Sequence, residues 1–334
     1  MKRAFWVGEH VVVREDAAPS VGAGQIRVRV QACGVCGTDL HAPAVAESSP
    51  MTGHEVAGTI EETGPGVTGL EVGQAVVLDS ATPCGRCGAC RNAQQELCTD
   101  IQSFFYLNAF GFAGFMLSPA ICAIPSGDLT PDVACLQEPL GVAIDMVRLA
   151  ELNPSSNVLI LGQGPIGLMA TALARRAGVR RLFATELSAR ARRVELAAQF
   201  GADVVLDPRQ QPIDHYDFGC PIDRILVTAP PAVLPGAFQA AAKGAIISFI
   251  GIGHGAGAHC AFDANAFHFK KLQLRASFAS PALYGPLALQ YLREGVVDGA
   301  AMVTHRFPLD RIAEAVDTAR HDPAAVKVVV HPQE

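Results

Sequence analysis

Val158-Leu159-Ile160-Leu161-Gly162-Gln163-Gly164-Pro165-Ile166-Gly167 is the stretch that decides the fold. Its first four residues form an apolar run of the kind buried in a parallel sheet, and residues 166–176 continue in a helical pattern. Glycine is common, so Gly162-x-Gly164-x-x-Gly167 means little by itself, and a ligand-free βα turn would look the same. Its setting gives it weight: a strand before, a helix after, and an acid, Glu186, nineteen positions past Gly167 at the end of the next strand. There Gly162 makes the tight turn, Gly164 lets backbone approach a pyrophosphate, and Gly167 lets helix and strand pack closely. The helix that starts around Ile166 receives the phosphate charge at its N-terminus. Glu186 suits the hydroxyls of an adenosine ribose and repels a 2′-phosphate, which favours NAD over NADP. Arg190, Arg192 and Arg193 follow and pull the other way, unless they form a solvated helix face.

Working outward, βα alternation runs on downstream. Strands are expected at 181–185, 204–206, 224–228 and 245–250, with a helix at 189–200 ending at Gly201. Apolar strands between helices describe an α/β fold with a doubly wound parallel sheet. Upstream, residues 1–80 read differently. Residues 25–32, QIRVRVQA, alternate apolar and polar as a half-buried strand does, and 55–61 and 74–78 are further strands around the turn Gly64-Pro65-Gly66. After Lys271 come a strand (272–278), two helices (286–293 and 309–320) and a final apolar run, 326–330, interrupted only by Lys327.

A chain of 334 residues exceeds one ordinary domain, so two are expected. Half the residues are hydrophobic and mean hydropathy is +0.26, which excludes a disordered chain. Net charge is −6 and no basic stripe is present, which argues against nucleic acid as a partner. Two uncharged stretches, 101–127 and 152–174, are broken by proline, glycine and hydrogen-bonding side chains, so neither reads as a membrane span. The start, MKRAFWVGEHVVVRED, carries charges where a signal peptide would be apolar. A soluble, cytoplasmic protein is the expectation.

The ten cysteines are not spread at random. Cys84, Cys87, Cys90 and Cys98 fall within fifteen residues, spaced C-x2-C-x2-C-x7-C, with Gly85 and Gly88 between them. In a large cytosolic chain such spacing favours metal over disulfides, and four thiolates close a tetrahedral zinc shell of structural type. A second set is dispersed: Cys36 in Cys33-Gly-Val-Cys36-Gly-Thr38-Asp39-Leu-His41, then Gly53-His54-Glu55, then Glu138 in Glu138-Pro139-Leu140. Thiolate, imidazole and carboxylate suit a catalytic zinc with room for a substrate oxygen, yet spacing alone supports this set weakly.

Taken in order, GVCGTDLH (34–41), GHE (53–55), the four-cysteine lobe (84–98), EPL (138–140) and VLILGQGPIG (158–167) resemble the zinc-dependent medium-chain alcohol, polyol and threonine dehydrogenases. The resemblance spans essentially the whole chain and is nearest the sorbitol dehydrogenase-like branch. It implies a Rossmann domain at 140–274 flanked by a split GroES-like, β-rich catalytic domain at 1–139 and 275–334. It further implies two zinc ions per chain and a homodimer or homotetramer. Cys36 and His54 become ligands of the catalytic zinc, with the third place open between Glu55 and Glu138. Asp39 orients His54, Thr38 and His41 relay a proton, and Gly251-Ile252-Gly253 helps wall the nicotinamide pocket. The implied reaction is NAD-linked interconversion of a secondary alcohol (polyol, sugar, cyclitol or amino alcohol) and its ketone. A carbonyl reductase or simple-alcohol dehydrogenase is the nearest alternative, and a silent dinucleotide-binding sensor the alternative from another class. Cys33, Cys122, Cys135, Cys220 and Cys260 are expected to pack. Two features depart from the family: the aromatic run 104–115, FFYLNAFGFAGF, read as core, subunit interface or substrate wall, and Asp145, read as a capping or solvated acid.

Overall fold

The computed structural model describes residues 1–41, 48–253 and 255–334. The chain divides into two compact units, Met1–Gly141 with Ala279–Glu334, and Val142–Phe278. The crossings fall at 141 and 278, where the sequence suggested 139 and 274. The first lies inside helix Gln137–Leu149, which the sequence pattern does not interrupt.

In the second unit, six parallel strands lie in the order Val204–Leu206, Arg181–Thr185, Asn157–Leu161, Ile222–Val227, Ala241–Phe249, Gln273–Ala276. Numbered along the chain, that is 3-2-1-4-5-6, the dinucleotide-binding order whose switch point lies beside the strand that opens the glycine motif. Asn157–Leu161 is buried at every position, because helices cover both faces of a parallel sheet. Strands 222–227 and 241–249 start earlier than their apolar runs. Asp145 is half-buried and accepts a hydrogen bond from Ser277 Oγ at 2.6 Å.

In the first unit, a seven-stranded sheet runs Val303–Pro308, Lys327–His331, Gln25–Gly34, Glu55–Thr63, Ala75–Leu78, Ala123–Pro125, with Phe115–Pro119 also paired to Gln25–Gly34. Both ends of the unit's sequence therefore share one sheet: Val329 and Val330 pair with Gly34 and Cys33. A smaller sheet joins His10–Glu15, Lys2–Val7 and Ser49–Pro50. Along Gln25–Gly34, Ile26, Val28 and Val30 are buried and their neighbours are not, until Ala32, Cys33 and Gly34 are buried in succession. The alternation fails where the register with Glu55–Thr63 shifts between Val30 and Ala32, an irregularity that re-aims side chains at the strand end. Cys36 follows immediately.

The aromatic run divides between its readings. Phe104, Phe110 and Phe112 are buried in the core with Ile26, Val28 and Val330, whereas Phe105 and Tyr106 are exposed. No helix among the described residues is long and apolar enough to cross a membrane. Of the cysteines expected to pack, Cys33, Cys122 and Cys135 are buried and Cys220 is half-buried, but Cys260 is exposed in a loop.

Candidate metal centres and dinucleotide site

The four-cysteine lobe assembles as the spacing predicts. The sulfurs of Cys84, Cys87, Cys90 and Cys98 lie within 4.8 Å of one another. Cys98 Sγ is 3.7 Å from Cys84 Sγ and 3.8 Å from Cys87 Sγ. A tetrahedral shell with Zn–S bonds of about 2.3 Å has an edge of about 3.8 Å, so the sulfurs already stand at zinc-thiolate spacing. Backbone N–H groups aim at them: Cys84 N–H donates to Cys98 Sγ, and the Arg86 and Cys87 N–H groups to Cys84 Sγ. Backbone N–H donation from Cys90 and Thr99 pulls the Cys87 thiol down to about 5. Such donors stabilise thiolate, the form that binds metal.

The dispersed set converges too. Donor atoms of Cys36, His54 and Glu55 lie within 4.8 Å of one another, and Glu138 stays outside that trio. Cys36 caps the short 3-10 turn Gly37–Leu40, and His54 and Glu55 enter strand Glu55–Thr63. Asp39 does not hold His54 directly. Its carboxylate is 4.0 Å from His54 Nδ1 and instead accepts from Cys36 N–H at 2.9 Å and from Thr52 Oγ1 at 3.0 Å. His54 Nδ1 meets the Thr52 carbonyl at 2.9 Å. With the proton on Nδ1, Nε2 keeps a lone pair for metal. Asp39 thus ties together the two segments that supply the sulfur and the imidazole, through Thr52, a residue the sequence did not single out. Burial raises the Asp39 pKa, which its hydrogen bonds oppose. Burial works against His54 as a cation, but Cys36, Glu138 and Asp39 outweigh it and raise its pKa, so the same anionic surroundings that favour a proton on the ring favour a metal cation in its place at Nε2.

Behind the trio lies a residue the sequence reading passed over. Lys327 is 2% exposed and Glu55 1%, and the two form an ion pair, with Lys327 Nζ also donating to the Val35 carbonyl at 3.0 Å. Burial works against the Lys327 ammonium, but Glu55 and Cys36 outweigh it and raise its pKa. One lysine inside an otherwise apolar strand was the signal. Glu138, in the first turn of helix Gln137–Leu149, is pushed up to about 7 by burial, against the pull of His54. Its neighbour Gln137 donates to the buried Asp79 carboxylate at 2.8 Å. Thr38 and His41 are exposed on and just after the turn that Cys36 caps.

In the second unit the glycine motif has its expected build. Gly162 holds φ +95°, and a Cβ at Gly167 would stand 2.0 Å from the Gly162 carbonyl oxygen. Nothing lies within 4 Å of a Cβ at Gly164, so that face is open at the N-terminus of helix Pro165–Arg176, where Ile166 is in the first turn. Glu186 follows strand Arg181–Thr185 and lies 3.8 Å from Arg193, whose guanidinium is mostly buried. Arg193 therefore faces the acid and is not on a solvated face, whereas Arg192 pairs outward with Glu195 and Arg190 precedes helix Ala191–Gln199. Gly251 and Gly253 follow strand Ala241–Phe249, and their close backbone neighbours, the carbonyls of Ala229 and Gly257, explain why side chains are absent.

A dinucleotide-type α/β unit and a β-rich unit with one closed thiolate set and one mixed, more open set define a metal-dependent dehydrogenase. Comparison agrees. The alcohol dehydrogenase GroES-like domain family matches residues 22–128 and the zinc-binding dehydrogenase family residues 165–290. Sorbitol dehydrogenase of Arabidopsis thaliana is 30% identical, over 93% of this chain and 89% of its own length. L-threonine 3-dehydrogenase of Pyrococcus horikoshii is 38% identical over 60% of this chain and 59% of its own. The structure of a zinc-binding dehydrogenase from Sinorhizobium meliloti 1021, bound to NADP, shares 26% identity and a TM-score of 0.87 over 99% of both chains. The chain belongs to the zinc-dependent medium-chain dehydrogenases, the family of the alcohol and polyol dehydrogenases.

Proposed function

We propose that the protein interconverts a secondary alcohol and its ketone by hydride transfer, with NAD as cofactor and a vicinal diol or amino alcohol as substrate. The observation that carries this is the convergence of Cys36, His54 and Glu55 beside an exposed turn bearing Thr38 and His41. Cys36, His54 and Glu55 would hold the catalytic zinc, with Glu138 nearby, and Cys84, Cys87, Cys90 and Cys98 the structural one. When bound, zinc acts as a Lewis acid that makes the substrate hydroxyl acidic, and NAD accepts the hydride from the carbinol carbon. Thr38 Oγ1 would accept the hydroxyl proton while giving up its own to the His41 imidazole, which releases it to solvent. Gly164 and the helix start at Pro165 and Ile166 cradle the pyrophosphate, and Glu186 accepts from the ribose hydroxyls. The Arg193 guanidinium beside Glu186 and the NADP in the Sinorhizobium relative make the 2′-phosphate the point to test.

A mixed set with one exchangeable carboxylate leaves room for a second substrate heteroatom, which is why a diol or amino alcohol is preferred. The test is a panel of vicinal diols, amino alcohols, polyols and matched mono-alcohols, with NAD and NADP in parallel. A diol or amino alcohol should exceed its mono-alcohol in kcat/KM by at least about tenfold, about 1.4 kcal/mol of transition-state binding. A clear preference for a long aliphatic or aromatic mono-alcohol would overturn the substrate class. A homodimer or homotetramer is supported by strand Gln273–Ala276, whose outer edge has no partner strand among the described residues, with Leu274, Phe269 and Phe278 exposed around it. A cytoplasmic location is supported by ten cysteines that are all unpaired thiols.

A further inference from the structure

Phe105 differs from every other ring in the aromatic run. It sits in the 3-10 turn Phe104–Leu107, which is fixed at both ends. At the start, Ser103 Oγ accepts from Phe105 N–H at 3.1 Å and donates to the Ser80 carbonyl at 2.6 Å. At the end, Asn108 adopts the left-handed conformation with φ 50°, and Arg3 Nη2 donates to its carbonyl at 2.5 Å. Phe104 is fully buried and anchors the turn in the core. Its successor, Phe105, remains 40% exposed. The Phe105 ring stacks on Phe104 with centroids 5.3 Å apart and takes Phe110 edge-on at 5.2 Å. Its centroid is 6.2 Å from that of the His54 imidazole. A rigidly backed, half-exposed phenyl ring therefore stands beside His54, the histidine of the candidate metal site.

We propose that Phe105 is the specificity-determining wall of the substrate site, and that it selects a diol or amino alcohol whose reacting carbon bears a short alkyl group. A hydroxymethyl group there is disfavoured. This rests on the reading of Cys36, His54 and Glu55 as the metal site of an alcohol oxidation. A ligand on a metal held by His54 lies within a few bond lengths of the imidazole, so its substituent on that side meets the phenyl ring. The ring offers neither donor nor acceptor. A hydroxyl pressed against it loses its water and gains no partner, whereas a methyl group loses nothing and buries apolar surface. Because Phe104 and Phe110 back the ring, it cannot swing aside to admit water without giving up both contacts.

The matched probes are butane-2,3-diol and butane-1,2,3,4-tetrol, which share the vicinal diol and differ in that either reacting carbon bears a methyl group in the first and a hydroxymethyl group in the second. They are compared on the zinc-loaded enzyme with NAD, for the native protein and for Phe105→Ser and Phe105→Leu. The native enzyme should favour the diol by at least about tenfold in kcat/KM. Phe105→Ser should bring the two within about threefold, mainly by raising KM for the diol, while Phe105→Leu keeps most of the preference because the wall stays apolar. Unchanged zinc content and cooperative unfolding, with only the modest fall in Tm that follows from losing the ring contacts to Phe104 and Phe110, separate a lost wall from a damaged fold. A native preference for the tetrol, or a ratio untouched by Phe105→Ser, overturns the proposal. Calorimetric binding of the same two compounds reads the wall without turnover. Tighter diol binding that Phe105→Ser abolishes, in a protein that oxidises no alcohol, upholds the wall and overturns the function; equal binding overturns the wall.

Discussion

The two donor sets of the first unit are built in opposite ways. The lobe takes all four sulfurs from residues 84–98, and the backbone N–H groups that support them come from residues 84–99. The dispersed set takes Cys36 from just after strand Gln25–Gly34 and His54 and Glu55 from the start of its neighbour in the sheet, Glu55–Thr63, and each is held by something else: Asp39, Thr52 and Lys327. A closed thiolate shell needs only a short loop of correct spacing. An open site must keep a position free for substrate, so the fold has to hold the ligands from behind. The lobe is self-sufficient; the dispersed site is a property of the sheet, including its C-terminal strand.

The sharpest way to break this comparison is to remove one sulfur from each set. Cys36→Ala should lower kcat/KM by at least about a thousandfold, about 4 kcal/mol, and leave one zinc per chain with Tm little changed. Cys87→Ser should also leave one zinc per chain, but there the loss appears as stability, about 3 kcal/mol, with early proteolysis within residues 84–98. Metal analysis, Tm and steady-state rates on both variants decide it. If both lost activity and stability alike, the two sites would not be independent.

Next in size is Lys327. Removing one partner of a buried ion pair strands the other charge, so Lys327→Met should cost about 3 kcal/mol in urea unfolding. The double variant Lys327→Met/Glu55→Gln should recover most of that, since no buried charge remains. The single variant should also weaken zinc retention at the dispersed site under chelator challenge and leave the lobe zinc in place. Equal loss from both sites would detach Lys327 from the catalytic set.

These variants also mark what was legible in the sequence. The parallel sheet, its glycine turn and the lobe are local patterns: apolar runs, three glycines, four cysteines. The sheet order and the C-terminal return follow from pairing at long range, and only the family resemblance foreshadowed the return. Cys36 and His54 were chosen through that same resemblance. Lys327 appeared as a blemish in an apolar strand, because its partner Glu55 lies 272 positions away. The contact between Asp39 and Thr52 is not legible in the sequence, since no pattern announces that Thr52 stands between Asp39 and His54.

A smaller effect comes from the nucleotide side, where both zinc sites serve as controls. Glu186→Ala should raise KM for NAD by about tenfold, about 1.4 kcal/mol, with NADP unaffected or improved because the remaining Arg193 is freed of its acid. Zinc content should stay at two per chain. A native enzyme that works better with NADP would move the specificity from Glu186 to Arg193.

The smallest effect lies on the strand that carries Lys327, four residues on, and it sets a partly exposed pair against the buried one. His331 Nε2 meets Asp132 Oδ1 at 2.6 Å, and Arg306 Nε meets Oδ2 at 2.5 Å, so Asp132 joins the last strand to helix Pro131–Ala134. The hydrogen bond to Asp132 is the main reason the His331 pKa is raised, and the bond from His331 the main reason the Asp132 pKa is lowered. A raised histidine contributes stability in full below its unfolded value of about 6.5 and loses it as pH climbs through the folded pKa. A lowered aspartate contributes above its unfolded value of about 3.9 and loses it as pH falls through the folded pKa. Both contributions coexist between about pH 4 and pH 6.5. His331→Gln should therefore cost about 1 kcal/mol at pH 5.5 and progressively less above neutrality. In a chain of this size that is a fall in Tm of about 2 °C at the lower pH. An equal loss at pH 5.5 and pH 9 would mean that His331 acts by packing alone, and that charge holds the C-terminal strand only where Lys327 buries it.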